Sequence, residues 1–213
     1  MTVTTISLEA AACDDTIQVV IAQRSENKKT GQGVTHTHCY TITPDGRIKV
    51  DNTFAVDQEL EDIPRLGVTL KMPLEMRRIE WFGRGPRENY CDRDAGYPVG
   101  RYVADVDELY VPYIMPQECG NHTAVRWATV TGHGGHGVKI TAPELMEFSA
   151  LRFSEKDLFK ALHTNELEPQ DKVFVHIDYR QRGVGTATCG PDTCPEYRLG
   201  GGTYHFQYYL EVF

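Results

Sequence analysis

The sequence predicts an all-β protein, a large antiparallel β-sandwich. Apolar and polar residues alternate with a period of two in many short stretches, whereas helical periodicity is scarce. Glycine and proline stand between these stretches, as is typical of the turns of an antiparallel sandwich. A chain of 213 residues, 40% of them hydrophobic, can bury a core of its own, and we expect one domain over residues 1–213.

The alternating stretches predict strands along most of the chain. Between two of them, Pro44-Asp45-Gly46 predicts a hairpin turn, because proline presets φ and glycine accepts a positive φ. Ser154 and Asp157 predict the start of a short connecting helix, since they can form a capping box. The predicted strands are 16–22, 36–42, 47–54, 66–72, 78–82, 124–131, 137–141, 147–153, 172–179 and 204–213. Residues 83–117 alternate poorly and predict one long functional or interface-forming loop.

Composition and charge argue against several classes of function. The net charge of -8 disfavours nucleic-acid binding, which needs clustered lysine and arginine. No apolar run approaches the roughly 20 residues that span a bilayer. Residues 1–12 do not resemble an export signal. The six widely spaced cysteines favour free thiols in a reducing compartment, so we expect a cytoplasmic location.

Several polar residues invite a catalytic or metal-binding interpretation. His36 and His38 lie on one face of a predicted strand, as zinc ligands do, but no third ligand is visible, so no metal site is predicted. The glycine-rich segment 131–137 lacks a phosphate-binding signature and is interpreted as a hairpin loop.

A general acid and base could come from two histidines and three glutamates. With 30 acidic residues in the chain, a pair chosen by type alone is a weak signal. A solvated turn explains two of the glutamates equally well. The five candidates are His163, His176, Glu118, Glu166 and Glu168.

Three clusters of glycine, proline, aromatic and charged residues are more specific. The first can form a loop tied by its own charge-assisted hydrogen bonds. It contains Trp81, Gly83, Gly85, Pro86, Glu88, Tyr90, Asp92 and Arg93. The second, 110–121, offers a stiff tyrosine- and proline-rich surface and contains Pro116, Glu118 and Asn121. The third, 183–192, combines small residues with Cys189 at the expected loop tip.

In this order and spacing, the three clusters resemble the last domain of the β-galactosidases of glycoside hydrolase family 2. The family's patterns W-x-G-x-GP-x-E-x-Y-x-DR and Y-x-x-PQE-x-GN match 81–93 and 113–121. Its G-x-G strand end, followed by a loop with W or C before x-P, matches 183–191. The resemblance covers nearly the whole chain and implies a galactose mutarotase-like supersandwich.

The resemblance also implies a division of labour. In the family, a neighbouring (β/α)8 barrel carries the two glutamates of retaining hydrolysis and binds Mg and Na. We therefore expect this chain to be non-catalytic, without a cofactor of its own, completing the rim of the active site for terminal β-D-galactosides and aiding assembly. By resemblance Cys189 faces the substrate where relatives often have tryptophan. The expected partners are the rest of the β-galactosidase chain with its barrel and the galactoside, without nucleic acid or membrane.

Relatives open this domain with further strands, so we expect an incomplete domain that lacks its leading strands. An exposed sheet edge favours pairing with another copy, and a homodimer is expected by light scattering. Two other functions remain open at this stage. One is a stand-alone mutarotase-like epimerase using His163 or His176 with a glutamate, and the other is a carbohydrate-binding module.

Overall fold

In the computed structural model, which describes residues 2–186 and 190–213, antiparallel β-strands dominate the fold. The strands are β1 Thr2–Cys13, β2 Thr16–Glu26, β3 Gly33–Ile42, β4 Ile48–Val56, β5 Arg65–Pro73, β6 Arg78–Arg84, β7 Val99–Asp105, β8 His122–Thr131, β9 Gly137–Leu151, β10 Lys172–Gln181 and β11 Gly202–Val212. One α-helix, α1 Glu155–Lys160, and the 3-10 turns Val106–Glu108, Thr164–Glu166 and Pro195–Tyr197 lie between them. The all-β antiparallel fold class is confirmed.

The sheet branches at β9. The main path runs β1-β2-β3-β4-β11-β9-β8-β6-β7, and a second arm adds β10 and then β5 to β9. The first half of β9 pairs with β11 through residues 138–141, and the second half pairs with β10 through residues 147–151. One strand therefore joins both arms of the sheet.

A kink in β9 makes this sharing possible. Opposite it, β8 pairs Val125 with Met146 but Trp127 with Thr141, so four residues of β9 face a single residue of β8. Pro143 lies in this bulge, where a residue without a backbone N–H costs no ladder hydrogen bond. The sequence analysis predicted two strands here, at 137–141 and 147–153, and the structure corrects them to one bent strand.

One hydrophobic core connects the arms. It draws inward-facing residues from both, and Ile140, Phe148, Val175 and Ile177 are fully buried in it. Across the junction, the Tyr179 ring of β10 lies 5.6 Å from that of Tyr204 on β11. Burial of this apolar area is the main source of stability.

Other predicted elements are confirmed, with two additions. The Gly46 turn joins β3 to β4 with φ of +82°, and Ser154 caps α1 in a capping box. Residues 132–136 form the predicted hairpin loop between β8 and β9. The prediction missed β1 and also β7, which lies inside the supposed long loop 83–117.

The sequence of β7 does not show the alternation that predicts a strand, because most of its inward-facing residues are small and most of its outward-facing residues are apolar. Gly100 and Ala104 point inward, while Val99 and Val103 are 43% and 53% exposed. β7 is an edge strand, and such a strand buries too little for a clear alternation. In the described part of the chain, no helix is long and apolar enough to cross a membrane.

We predict that Phe148→Ala lowers the free energy of unfolding by about 3–5 kcal/mol, because it leaves a cavity where the arms share β9. Urea denaturation followed by tryptophan fluorescence measures the loss. Phe159→Ala is the matched control, since Phe159 is 88% exposed and its removal should cost almost nothing. Equal losses for the two variants would contradict this position of the core.

Candidate functional site

The three sequence clusters, far apart along the chain, meet at one junction. Glu88 of the first cluster is buried, and its Oε2 accepts a hydrogen bond of 2.7 Å from the backbone N–H of Gly120 in the second. Its Oε1 accepts hydrogen bonds from Arg93, at 2.6 Å, and from the hydroxyl of Tyr113. Charge-assisted hydrogen bonds of this kind are stronger than neutral ones. One carboxylate thus ties together both clusters.

A second set of contacts reinforces this tie. The Asn89 side-chain oxygen accepts hydrogen bonds from the backbone N–H and the hydroxyl of Thr123, at 2.8 and 2.7 Å. Asn121 donates to the backbone carbonyl of Asn89 at 3.0 Å and to Glu147 at 2.8 Å. All four residues are buried, so each satisfied polar group avoids a desolvation cost of roughly 1–3 kcal/mol.

Asp92 connects the first cluster to the third. Its two carboxylate oxygens accept hydrogen bonds from the backbone N–H groups of Val184 and Gly185, at 3.0 and 2.8 Å. Asp92 itself lies in a turn closed by a hydrogen bond of 2.7 Å from the N–H of Arg93 to the carbonyl of Tyr90. A rigid turn therefore holds the start of the third loop.

The other residues of the first cluster form the support beneath this turn. The Trp81 ring is 1% exposed, lies 4.2 Å from the His122 ring, and donates from Nε1 to the carbonyl of Arg84 at 3.0 Å. Gly83 lies against Val125, and the Gly85–Pro86 peptide bond is cis. These contacts support the turn from below.

Behind the junction is a buried polar layer on the second arm of the sheet. Asp178 on β10 faces Glu147 on β9 directly across the strand pair. Arg65 on β5 contacts Asp178 and also lies 3.2 Å from Glu118. Gln181 donates to the side-chain oxygen of Asn121 at 3.0 Å. The layer therefore links the second arm to the loop junction.

Burial shifts the ionisation of this layer. It raises the pKa of Glu147 to about 8, and the nearby Asp178 adds to the rise while the hydrogen bond from Asn121 opposes it. Burial also raises the pKa of Asp178, against the attraction of Arg65. Burial raises the pKa of Glu118 to about 7. Because 35% of its side-chain surface is exposed, solvent weakens this effect. We therefore expect Glu147 to oppose folding as the pH rises towards 8.

The junction opens into a cleft of about 760 Å³. All three clusters line it, with aromatic and charged groups on one side and the start of the third loop on the other. The lining residues are Tyr90, Arg93, Tyr113, Ile114, Met115, Gln117, Glu118, Val184, Gly185 and Thr186. Its size is in the range of small-molecule sites. Pro116 lies buried beside this lining. Cys189, the predicted substrate-facing residue, lies outside the described residues.

The proposed acid and base groups do not come together at this cleft, apart from Glu118. His163 is 69% exposed and its Nδ1 lies 2.9 Å from Glu166 in a turn after α1. His176 is buried on β10, where burial lowers its pKa well below the usual value, and it contacts Thr69 at 3.1 Å. Glu168 is exposed. The geometry therefore provides no observation in favour of an epimerase.

The histidine pair of β3 is also structural in character. The rings of His36 and His38 lie 3.5 Å apart, and His36 contacts Asn52 at 3.0 Å and stacks on Phe54. Burial lowers the pKa of His36 to about 4. Among residues 2–186 and 190–213, no group of three or more His, Cys, Asp or Glu side chains could hold a metal ion.

Sequence reasoning missed Arg65, Glu147, Asp178 and Gln181. Asp178 alternates with Val175 and Ile177 on β10, and alternation normally places the polar residue in solvent. Here both faces of β10 are buried, and the polar face lies under the loop junction. A signal was available in Glu147, a charged residue next to a run of apolar and small residues at 148–151.

The fold and the junction together define an all-β domain whose loops are joined by buried carboxylates at one cleft. The sequence model of the family described as beta galactosidase small chain matches residues 1–210, and this chain belongs to that family.

Individual relatives agree with this membership. The chain is 38% identical over 146 residues to a β-galactosidase of Priestia megaterium, covering 68% of this chain and 14% of that protein. It is 36% identical over 174 residues to a β-galactosidase of Vibrio cholerae, covering 81% and 16%. The chain thus spans about one sixth of the length of these relatives and corresponds to one domain of a larger β-galactosidase chain.

The structure is also similar to the GalM/aldose epimerase homologue from C. elegans. The TM-score is 0.49 at 12% identity, covering 97% of this chain and 68% of that chain.

We predict that Glu147 lowers the free energy of unfolding as pH rises from about 4.5 through about 8, whereas the buried histidines, whose pKa values are lowered, act in the opposite direction between about 4 and 6.5. The folded state holds the Glu147 proton up to a pKa of about 8, whereas the unfolded carboxyl releases it near 4.5. Between these values the folded state binds more protons, so raising the pH favours unfolding by up to a few kcal/mol, on the order expected for a shift of this size.

Urea denaturation at several pH values measures this slope. Glu147→Gln should make the slope of the free energy of unfolding against pH more positive than that of the parent chain, because glutamine still accepts the Asn121 hydrogen bond and does not ionise. Glu144→Gln is the matched control, an exposed glutamate on the same strand, and should keep the slope of the parent chain. Identical slopes in all three proteins would contradict the assignment to Glu147.

Proposed function

We propose that this chain is a non-catalytic domain of a β-galactosidase that completes the rim of the parent enzyme's active site and aids its assembly. The proposal rests on one observation. The three family clusters converge on one cleft, and Asp92 holds the base of the third loop. The reaction is hydrolysis of terminal β-D-galactosides by the whole enzyme.

The bond-breaking groups belong to the remainder of the parent chain in this proposal. Retaining hydrolysis needs two carboxyl groups about 5–5.5 Å apart, one as nucleophile and one as acid and base. Three buried carboxylates at the junction are committed elsewhere: Glu88 to Gly120, and Asp178 to Arg65. Glu147 lies buried against Asn121. None of these three is free to attack a sugar.

Cys189 is proposed as the residue of this chain nearest the galactoside. A thiol offers a smaller contact than an indole, so a sugar stacked there is held more weakly and the space for an acceptor is wider. Mg and Na, which the resemblance associates with the barrel, would bind to the barrel in this proposal.

We expect the isolated chain not to hydrolyse a nitrophenyl β-galactoside. Adding the barrel-bearing remainder of the parent should restore hydrolysis, because the catalytic glutamates then meet a complete rim. Release of nitrophenol measures both. A parallel mixture with an unrelated β-sandwich protein is the control. Steady hydrolysis by the pure chain would contradict the proposal.

In the complemented enzyme, Cys189→Trp should lower KM for the nitrophenyl galactoside about two- to tenfold, because the indole adds a stacking surface. Cys194→Trp is the matched control, an exposed cysteine five residues further on, and should leave KM unchanged. Isothermal titration of the isolated chain with galactose addresses the carbohydrate-binding alternative. Saturable sub-millimolar binding there would favour that function instead.

A further inference from the structure

The stem of the third loop is held by Asp92, a residue from a distant part of the sequence. Gly183 to Gly185 leave the end of β10, and the carboxylate of Asp92 accepts hydrogen bonds from two successive N–H groups there. Asp92 lies more than 90 residues earlier in the chain, at the end of the first cluster. A bidentate contact to two successive N–H groups fixes both the position and the direction of the loop.

The approach of Asp92 is close enough to require a glycine. A Cβ on Gly183 would lie 2.5 Å from the carboxylate carbon of Asp92, which is shorter than side chains tolerate. Gly185 continues with φ of +58° in the left-handed region. The glycines of the third cluster are therefore explained by the contact with Asp92 and the turn that follows.

The returning side of the loop is held as well. The Thr193 side chain is buried and donates to the carbonyl of Gly183 at 2.6 Å, which joins the two sides of the stem. Asp192 accepts from Arg182 at 2.8 Å. Gly190 donates from its N–H to the carbonyl of Thr186 at 2.7 Å. The described residues on both sides of the loop thus form a closed, cross-linked stem.

We propose that Asp92 is a positioning residue for the galactosidase reaction: it fixes the stem at Gly183–Gly185, from which the third loop leads towards the sugar. This inference rests on the proposed function. Ordering a segment when substrate binds costs free energy, and a stem that is fixed in advance avoids its share of that cost. Asp92 touches no substrate in this proposal and acts only through the loop.

The first test measures the stem directly, by hydrogen exchange on the chain itself. In Asp92→Asn the amide nitrogen faces one of the two N–H groups, so one hydrogen bond is lost. We expect amide exchange at Val184 and Gly185 to become about tenfold faster or more, with the core strands unchanged. Asp94→Asn is the matched control, since Asp94 pairs with Arg84 at 3.1 Å and no described contact joins it to the stem. Unchanged exchange in Asp92→Asn would overturn the inference.

The second test measures KM and kcat separately in the complemented enzyme. Asp92→Asn should raise KM for the nitrophenyl galactoside about three- to tenfold and change kcat less than about twofold, the pattern of lost binding rather than lost chemistry. Gly183→Ala disrupts the same contact between Asp92 and the stem from the loop side. The double variant should be no worse than the more severe single variant, because both remove one contact. Full additivity, or an equal fall of kcat in all variants, would contradict positioning through this contact.

Cys189→Ala separates the two proposals. If Cys189→Ala and Asp92→Asn both leave KM unchanged while exchange at the stem is faster, the loop is positioned by Asp92 but does not reach the sugar, and the proposed function fails. If Cys189→Ala raises KM and Asp92→Asn changes neither KM nor exchange, only the positioning role fails.

Discussion

The buried carboxylate of Glu88 is the contact on which the loop end of this domain depends. It accepts hydrogen bonds from the N–H of Gly120, from Arg93 and from Tyr113, so it unites two loops that would otherwise leave polar groups unsatisfied. A buried carboxylate is tolerated only when its oxygens are well partnered. Removing one partner leaves the remaining buried polar groups without a hydrogen bond, and their desolvation is then no longer compensated. The residues of the junction therefore depend on one another.

The bent strand β9 gives this junction its foundation. Its first half belongs to the main path of the sheet, and its second half brings Glu147 beneath Asn121. The kink at Pro143 thus does two things at once: it branches the sheet and it turns a polar residue toward the loops. Because both arms share one core, a change in either arm is felt at the junction.

The arrangement separates support from chemistry. The Asp92 carboxylate and the buried Thr193 side chain fix the stem of the third loop, while the cleft beside it stays open. Such a division suits a domain that adds a surface to a neighbouring active site, since rigid elements hold a binding loop in place. A raised pKa such as that of Glu147 does not by itself mark a catalytic group, because burial raises the pKa of a structural carboxyl as it does that of a catalytic one.

The sequence by itself determined the all-β class, most strands, the Gly46 turn and the Ser154 cap, because each depends on local alternation or local backbone chemistry. It also identified the three clusters, since glycine, proline and charged residues in fixed order carry the family resemblance. The tertiary structure alone decided that these clusters meet. It further decided that β7 exists, that residues 137–151 form one strand, and that Glu147 and Asp178 are buried face to face. These outcomes depend on which strands become neighbours and on how much of each sheet face is covered. An alternating sequence pattern is the same whether its polar side faces water or another part of the chain, so the sequence alone cannot distinguish the two cases.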